Sequence, residues 1–312
     1  MKTALKTTPV ILLGLMLVAY TGCAPQKNNT NSDFNVSSTL SSNIVGGVTV
    51  DQAYGNENGL VGLAIISQDL LGQRGMSLCT GTLIHKRIVL TAAHCVENSG
   101  PSNIVSVVAY FKPNINDVKK EDLIRIDKVL QHADFLKGVD QSNLKDQTAW
   151  NDIALLRLSV DAPSDVQLSK IPNKSDIIKI NTATKLTLAG YGIATAIVNK
   201  SVKDPATGKI EIVPVTEKVN TSGILRKIEN VSVIRVTADN KEIMINQKNS
   251  KGACHGDSGG PAFLKQTDGT QIQVGVTSRG TDKLGNCNKA AIFTGLIGQA
   301  EWLEISMTAI LK

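Results

Sequence analysis

Beyond residue 43 the chain is cut into short β-branched and apolar runs, such as Ile104 to Val108 and Leu123 to Val129. Turn-forming clusters such as Asn98-Ser99-Gly100-Pro101 and Asp204-Pro205-Ala206-Thr207-Gly208 separate them. Runs this short lack the sustained three- and four-residue spacing of an amphipathic helix, but they suit strands of an antiparallel sandwich or barrel. Val, Ile and Thr fit a pleated surface, and 26 glycines with few aromatics supply turns rather than long helices. An all-β fold is expected. Only Ile297 to Leu311 carries apolar residues at helical steps, which predicts one terminal helix. No repeat of solenoid length is present.

The chain has 312 residues, 42% hydrophobic and 19% charged, enough apolar material for a full core. Its formal charge is +6. Setting aside Lys2, Lys6, Lys27 and Asp33 of the first 43 residues leaves 30 basic and 26 acidic side chains. They are scattered rather than gathered into a stripe, which argues against a nucleic-acid partner.

Residues 1–23 read as an export signal. Lys2 and Lys6 precede an apolar run from Val10 to Val18, and Thr21-Gly22 precede Cys23. That run is too short for a permanent membrane span, and no later segment is apolar for long enough. The approach to Cys23 resembles the lipobox of bacterial lipoproteins, with Tyr20 where Leu is usual, so Cys23 is a lipidation candidate. The alternative is ordinary signal cleavage near Thr21 or Ala24 and simple secretion. Residues 24–43, rich in Asn, Ser and Thr, read as a flexible linker. With Cys23 set aside, Cys79, Cys95, Cys254 and Cys287 can pair as two disulfides in an oxidising compartment.

Hydrolysis of a peptide bond by a hydroxyl needs a base to take its proton, an acid to hold that base, and donors facing the developing oxyanion. Leu90-Thr91-Ala92-Ala93-His94-Cys95 offers the base. Asn151-Asp152-Ile153-Ala154-Leu155-Leu156 offers a lone acid ahead of a buried strand. In Gly252-Ala253-Cys254-His255-Gly256-Asp257-Ser258-Gly259-Gly260-Pro261 a serine stands among glycines, where Gly256 and Ser258 N–H groups can approach a carbonyl unobstructed.

In that order, His then Asp then Ser, the chain resembles the trypsin/chymotrypsin family. Ile44-Val45-Gly46-Gly47, Gly190-Tyr191-Gly192 and Val276-Thr277-Ser278-Arg279-Gly280 extend the likeness over about residues 44–312. The resemblance implies two antiparallel Greek-key β-barrels, about 44–165 and 166–295. The active site would lie in the cleft between them, and a C-terminal helix of about 297–311 would follow. Ser258 would attack the carbonyl, His94 would accept and return the proton, and Asp152 would fix the imidazole. Cys79 would pair with Cys95, and Cys254 with Cys287.

The same resemblance implies a zymogen cut before Ile44, whose new ammonium would pair with Asp257; Asn43 departs from the Lys or Arg of trypsin-like activation. Gly252, Ala253, Ser278, Gly280 and Ala291 would line the primary pocket. None is acidic, so medium to large uncharged residues are expected on the acyl side of the bond. Arg279 replaces a usual Trp, and residues 193–223 form a long insertion. No cofactor and no metal is expected, since His85, His132 and His255 lack ligand spacing. The partners implied are protein or peptide substrates, an activating protease and a protein inhibitor, with membrane contact only through a lipid anchor before activation. The rival readings are a catalytically silent binding protein on a protease scaffold and an ester or acyl hydrolase using the same residues.

Overall fold

A computed structural model describes residues 44–98, 102–143, 149–194, 199–205, 207–214, 221–248 and 251–312. The export signal, Cys23, the linker with Asn43, and most of the turn at 98–101 lie outside the described residues.

The described residues begin with a 3-10 turn at Ile44–Gly46, followed by strand β1 (Val48–Thr49) and a short helix α1 (Gln52–Glu57), capped by Asp51 accepting from the Tyr54 N–H. Six strands follow: β2 (Leu60–Asp69), β3 (Arg74–His85), β4 (Ile88–Thr91), β5 (Ser102–Tyr110), β6 (Ile124–Gln131) and β7 (Ala154–Leu158). They close into an antiparallel barrel in the order β2-β3-β4-β7-β6-β5. Leu63, Leu83, Val89, Leu90, Leu155 and Leu156 are buried in its interior cluster. Each such side chain contributes about 1.5–3 kcal/mol by leaving water.

The second barrel is built from β8 (Lys185–Gly190), β11 (Arg226–Val236), β12 (Glu242–Asn246), β13 (Pro261–Lys265), β14 (Gln271–Gly280) and β15 (Ala290–Gly295). The β11–β8 pairing closes it. Between β8 and β11, β9 (Asn199–Lys203) and β10 (Ile210–Pro214) pair with each other, so the described part of the 193–223 insertion is a hairpin.

Two boundaries differ from the sequence reading. The first barrel is expected from about residue 44, yet β1 pairs with β11, and Ile44 is buried in the apolar cluster of the second barrel that also holds Leu188, Ile228 and Phe293. The helix α2 (Ala300–Leu311) starts three residues later than 297. Ahead of it the Gly298 N–H goes to the Asn240 carbonyl, outside any helix.

Leu303 and Ile310 of α2 pack into the core of the first barrel. Lys128 Nζ and Arg157 Nη1 donate to the Ala309 and Ile310 carbonyls, placing cations at the helix C-terminus where its dipole favours them. A helix that follows the second barrel thereby clasps the first. Among the described residues no helix is long and apolar enough to cross a membrane.

Candidate active site

Strand β4 is buried throughout, and its end carries the chain into a one-turn 3-10 helix, Ala93–Val96, that presents His94. A disulfide between Cys79 and Cys95 fastens this turn to β3. The Cys95 sulfur lies 4.0 Å from His94 Nε2 and 3.6 Å from the Ser258 carbonyl oxygen, so the imidazole and the serine loop meet around one atom. A disulfide sulfur has no proton to donate, and these are packing contacts.

Asp152 sits just before β7 and is 1% exposed. The residue ahead of it, Asn151, has φ 49°, a left-handed conformation that Asn tolerates better than most side chains. Gln299 Nε2 donates to Asn151 Oδ1 at 2.8 Å and holds the bend. The Asp152 carboxylate accepts from His94 Nδ1 at 2.7 Å, from the His94 backbone N–H at 2.9 Å and from the Ser278 hydroxyl at 2.7 Å. Thr294 Oγ1 donates to the Asp152 carbonyl.

Burial lowers the His94 pKa, but the charge and hydrogen bond of Asp152 outweigh it and hold the ring above its ordinary value of 6.5. Burial likewise raises Asp152. The His94 charge, its two hydrogen bonds and the Ser278 hydroxyl prevail and hold the carboxyl below its usual range. An imidazole so held keeps its proton on Nδ1 and leaves Nε2 free to accept another.

The serine loop is fixed from both barrels. Thr80 of β3 donates its N–H to the Ser258 carbonyl at 2.8 Å and its hydroxyl to the Gly256 carbonyl at 2.9 Å. Cys254 is bonded to Cys287. Asp257, 2% exposed, accepts the Gly192 N–H at 2.8 Å and the Cys254 N–H at 2.9 Å. A Cβ on Gly192 would fall 2.4 Å from that carboxylate, which accounts for glycine there. Gly256 has φ 97°, open only to glycine at ordinary cost, and among the described residues no acceptor takes the N–H of Gly256 or Ser258.

A family model of trypsin matches residues 44–303 of the sequence. The chain belongs to the trypsin family. Serine protease 28 of Mus musculus is similar to this protease, with 23% identity over 231 residues that cover 73% of this chain and 77% of the mouse protein. The CLIP domain-containing serine protease B15 of Anopheles gambiae is 24% identical over 257 residues, covering 78% of this chain and 65% of its own length. The chain thus spans less than two thirds of the mosquito protein. The solved structure of HL collagenase has the same fold, with TM-score 0.57 and 21% identity, covering 85% of this chain and 99% of that one. The trypsin-family chain is accordingly a serine-type endopeptidase that acts on proteins or peptides, and its two disulfides suit an oxidising compartment.

Around the expected pocket, the trypsin-family protease shows two arrangements that sequence reading missed. Gln247, 1% exposed, donates from Nε2 to the Ala253 carbonyl at 2.8 Å and the Cys287 carbonyl at 3.4 Å. Its side chain occupies the space beside Gly252, where a Cβ would meet it at 2.6 Å. Ser278 turns its hydroxyl to Asp152 instead of serving the pocket wall alone. Gly280 pairs with Ala291, and among the described residues nothing lies within 4 Å of where its Cβ would be. Arg279 packs over the Trp150 ring and pairs with Glu242. His255 contacts the Gly285 carbonyl, His132 lies against Trp302, and His85 Nδ1 accepts from the Arg87 N–H.

Proposed function

We propose that this trypsin-family protease cuts peptide bonds with Ser258 as nucleophile, His94 as general base and then acid, and Asp152 as the group that orients and stabilises the imidazolium. The observation that carries the reading is the pair of bonds from His94, through Nδ1 and its backbone N–H, to the two oxygens of one buried carboxylate. Ser258 Oγ adds to the carbonyl carbon as its proton passes to His94 Nε2. The oxyanion takes the Gly256 and Ser258 N–H groups. His94 returns the proton to the departing amine, and water hydrolyses the acyl-enzyme by the same steps.

Uncharged medium to large residues are the expected acyl-side preference. Gly252, Ala253, Gly280 and Ala291 carry no charge, Gln247 adds only a neutral amide, and the nearby acid Asp282 is held by Lys289 at 2.8 Å. A Lys or Arg substrate side chain would lose hydration there without gaining a partner.

Activation is proposed by cleavage before Ile44. Ile44 is 1% exposed, and the Val45 carbonyl accepts the Gly252 N–H at 2.9 Å, so this segment already lies against the loop that holds Asp257. The chain is proposed to be exported, with Cys23 lipidated, so that the activating cut frees the catalytic domain. An activating protease is implied, and a protein inhibitor is a further expected partner. N-terminal sequencing of membrane and soluble fractions tests this, and an Ile44 terminus retained on membranes would contradict release.

A fluorophosphonate probe and a peptide panel test the catalytic reading together. The cleaved protein is expected to take the label on Ser258, to lose it in Ser258→Ala, and to favour Leu, Met, Phe or Tyr. An unlabelled protein would favour the silent binding protein; labelling with ester cleavage but no peptide cleavage would favour the acyl hydrolase.

A further inference from the structure

Arg279 and Glu242 make a buried ion pair, their side chains only 7% and 3% exposed. The guanidinium grips the carboxylate with both arms, Nη1 to Oε1 at 2.8 Å and Nη2 to Oε2 at 3.1 Å. It also lies 4.1 Å from the centre of the Trp150 ring, while Glu242 Oε1 accepts the Trp150 backbone N–H at 3.2 Å.

Such a pair is a poor source of stability. Desolvating both charges rivals their attraction, and apolar side chains of similar volume often do as well or better. Its position gives it another use. Trp150 stands two residues before Asp152, in the loop whose left-handed Asn151 aims that carboxylate at His94. A bulge in the β14–β15 pairing falls between Thr277 and Arg279, at Ser278. In a regular strand neighbouring side chains face opposite ways, but across this bulge Ser278 reaches Asp152 and Arg279 reaches Trp150. Consecutive residues of the second barrel thus hold both ends of one three-residue loop.

We infer that Arg279 and Glu242 are positioning residues, a clamp from the second barrel that sets the Trp150–Asp152 loop so that Asp152 meets the histidine carried by the first. The inference rests on the proposed roles of His94, Asp152 and Ser258. A clamp of this kind acts on the chemical step, because a shift of the carboxylate by a fraction of an ångström turns the imidazole away from the hydroxyl.

The test is the double variant Arg279→Met/Glu242→Leu in the cleaved protein. It removes both charges together, and the Trp150 backbone N–H loses its acceptor. Three quantities are measured: the melting temperature, the rate at which a small fluorophosphonate labels Ser258, and the deshielded His94 Nδ1 proton in the NMR spectrum. The small probe makes no contact with extended substrate subsites, so lost peptide binding does not enter its rate. The clamp predicts a melting temperature within a few degrees of that of the unaltered protein, a labelling rate lower by about tenfold or more, and a shifted or broadened Nδ1 resonance. Arg279→Lys, which keeps the charge but not the fork, should recover only part of the rate seen with Arg. A double variant labelled at the unaltered rate with an unmoved resonance would overturn the inference. Should it fail to fold, Glu242→Gln, which keeps an acceptor for the Trp150 backbone N–H, is read by the labelling rate and the Nδ1 resonance. If the unaltered protein took no label, the catalytic reading itself would fail, a result distinct from a clamp without effect.

Discussion

A general base works best when its own pKa lies near the working pH, and His94, the proposed base, is poised by two opposed influences, burial and Asp152. Because Asp152 prevails, the ring holds its proton above pH 6.5, and only the neutral ring can accept one from Ser258. The value of kcat/KM should therefore climb with pH through an inflection above 6.5, measured with an uncharged peptide substrate. A flat profile, or an inflection below that value, would contradict the arrangement. His94 and Asp152 stand 58 positions apart, yet each lies in a local motif that can be read without knowing its neighbours in space. Glu242 and Gln247 carry no such motif. Their importance arises from strand pairing, as when β12 carries Glu242 opposite Thr294, itself bonded to the Asp152 carbonyl, and no run of adjacent residues announces that.

Among the elements, the loop from Gly252 to Gly260 depends on a carboxyl buried without a full counter-ion. Burial pushes Asp257 up to about 7, against the N–H bonds of Cys254 and Gly192 and the charge of Arg226. A carboxyl raised in this way favours the folded chain below its ordinary pKa of 3.8 and loses that contribution as pH rises through about 7. Cleavage before Ile44 would supply an ammonium and return the carboxylate to its charged form. The melting temperature of the cleaved protein should then exceed that of the uncut chain by a margin that widens between pH 4 and pH 7, reaching at most about 4 kcal/mol in stability. Ser258→Ala prevents self-digestion during the scan. A gap independent of pH would count against the Ile44–Asp257 pair. The segment 44–49 shows what sequence order hides: its nearest strands along the chain are those of the first barrel, but Val48 and Thr49 pair with β11 and the Val45 carbonyl accepts from Gly252.

At the scale of the whole molecule, two barrels were legible because short β-branched runs and turn clusters specify many antiparallel strands, and because family motifs recur through both halves. What joins the barrels was not legible. Thr82 Oγ1 donates to Gln273 Oε1 at 2.7 Å, with both residues fully buried, and Thr80 binds the Ser258 loop. Polar side chains committed to a partner in the other barrel fix one relative placement, whereas apolar contact alone tolerates sliding. The proposed chemistry requires that residues from the two barrels act as one catalytic unit. The most direct measurement is kcat on a single peptide substrate for His94→Ala, Ser258→Ala and the double variant, each folded and cleaved before Ile44. Residues that act together predict that either single change loses several powers of ten and that the double change loses about as much as either alone. Losses that multiply in the double variant, or a His94→Ala protein that keeps most of its activity, would contradict it.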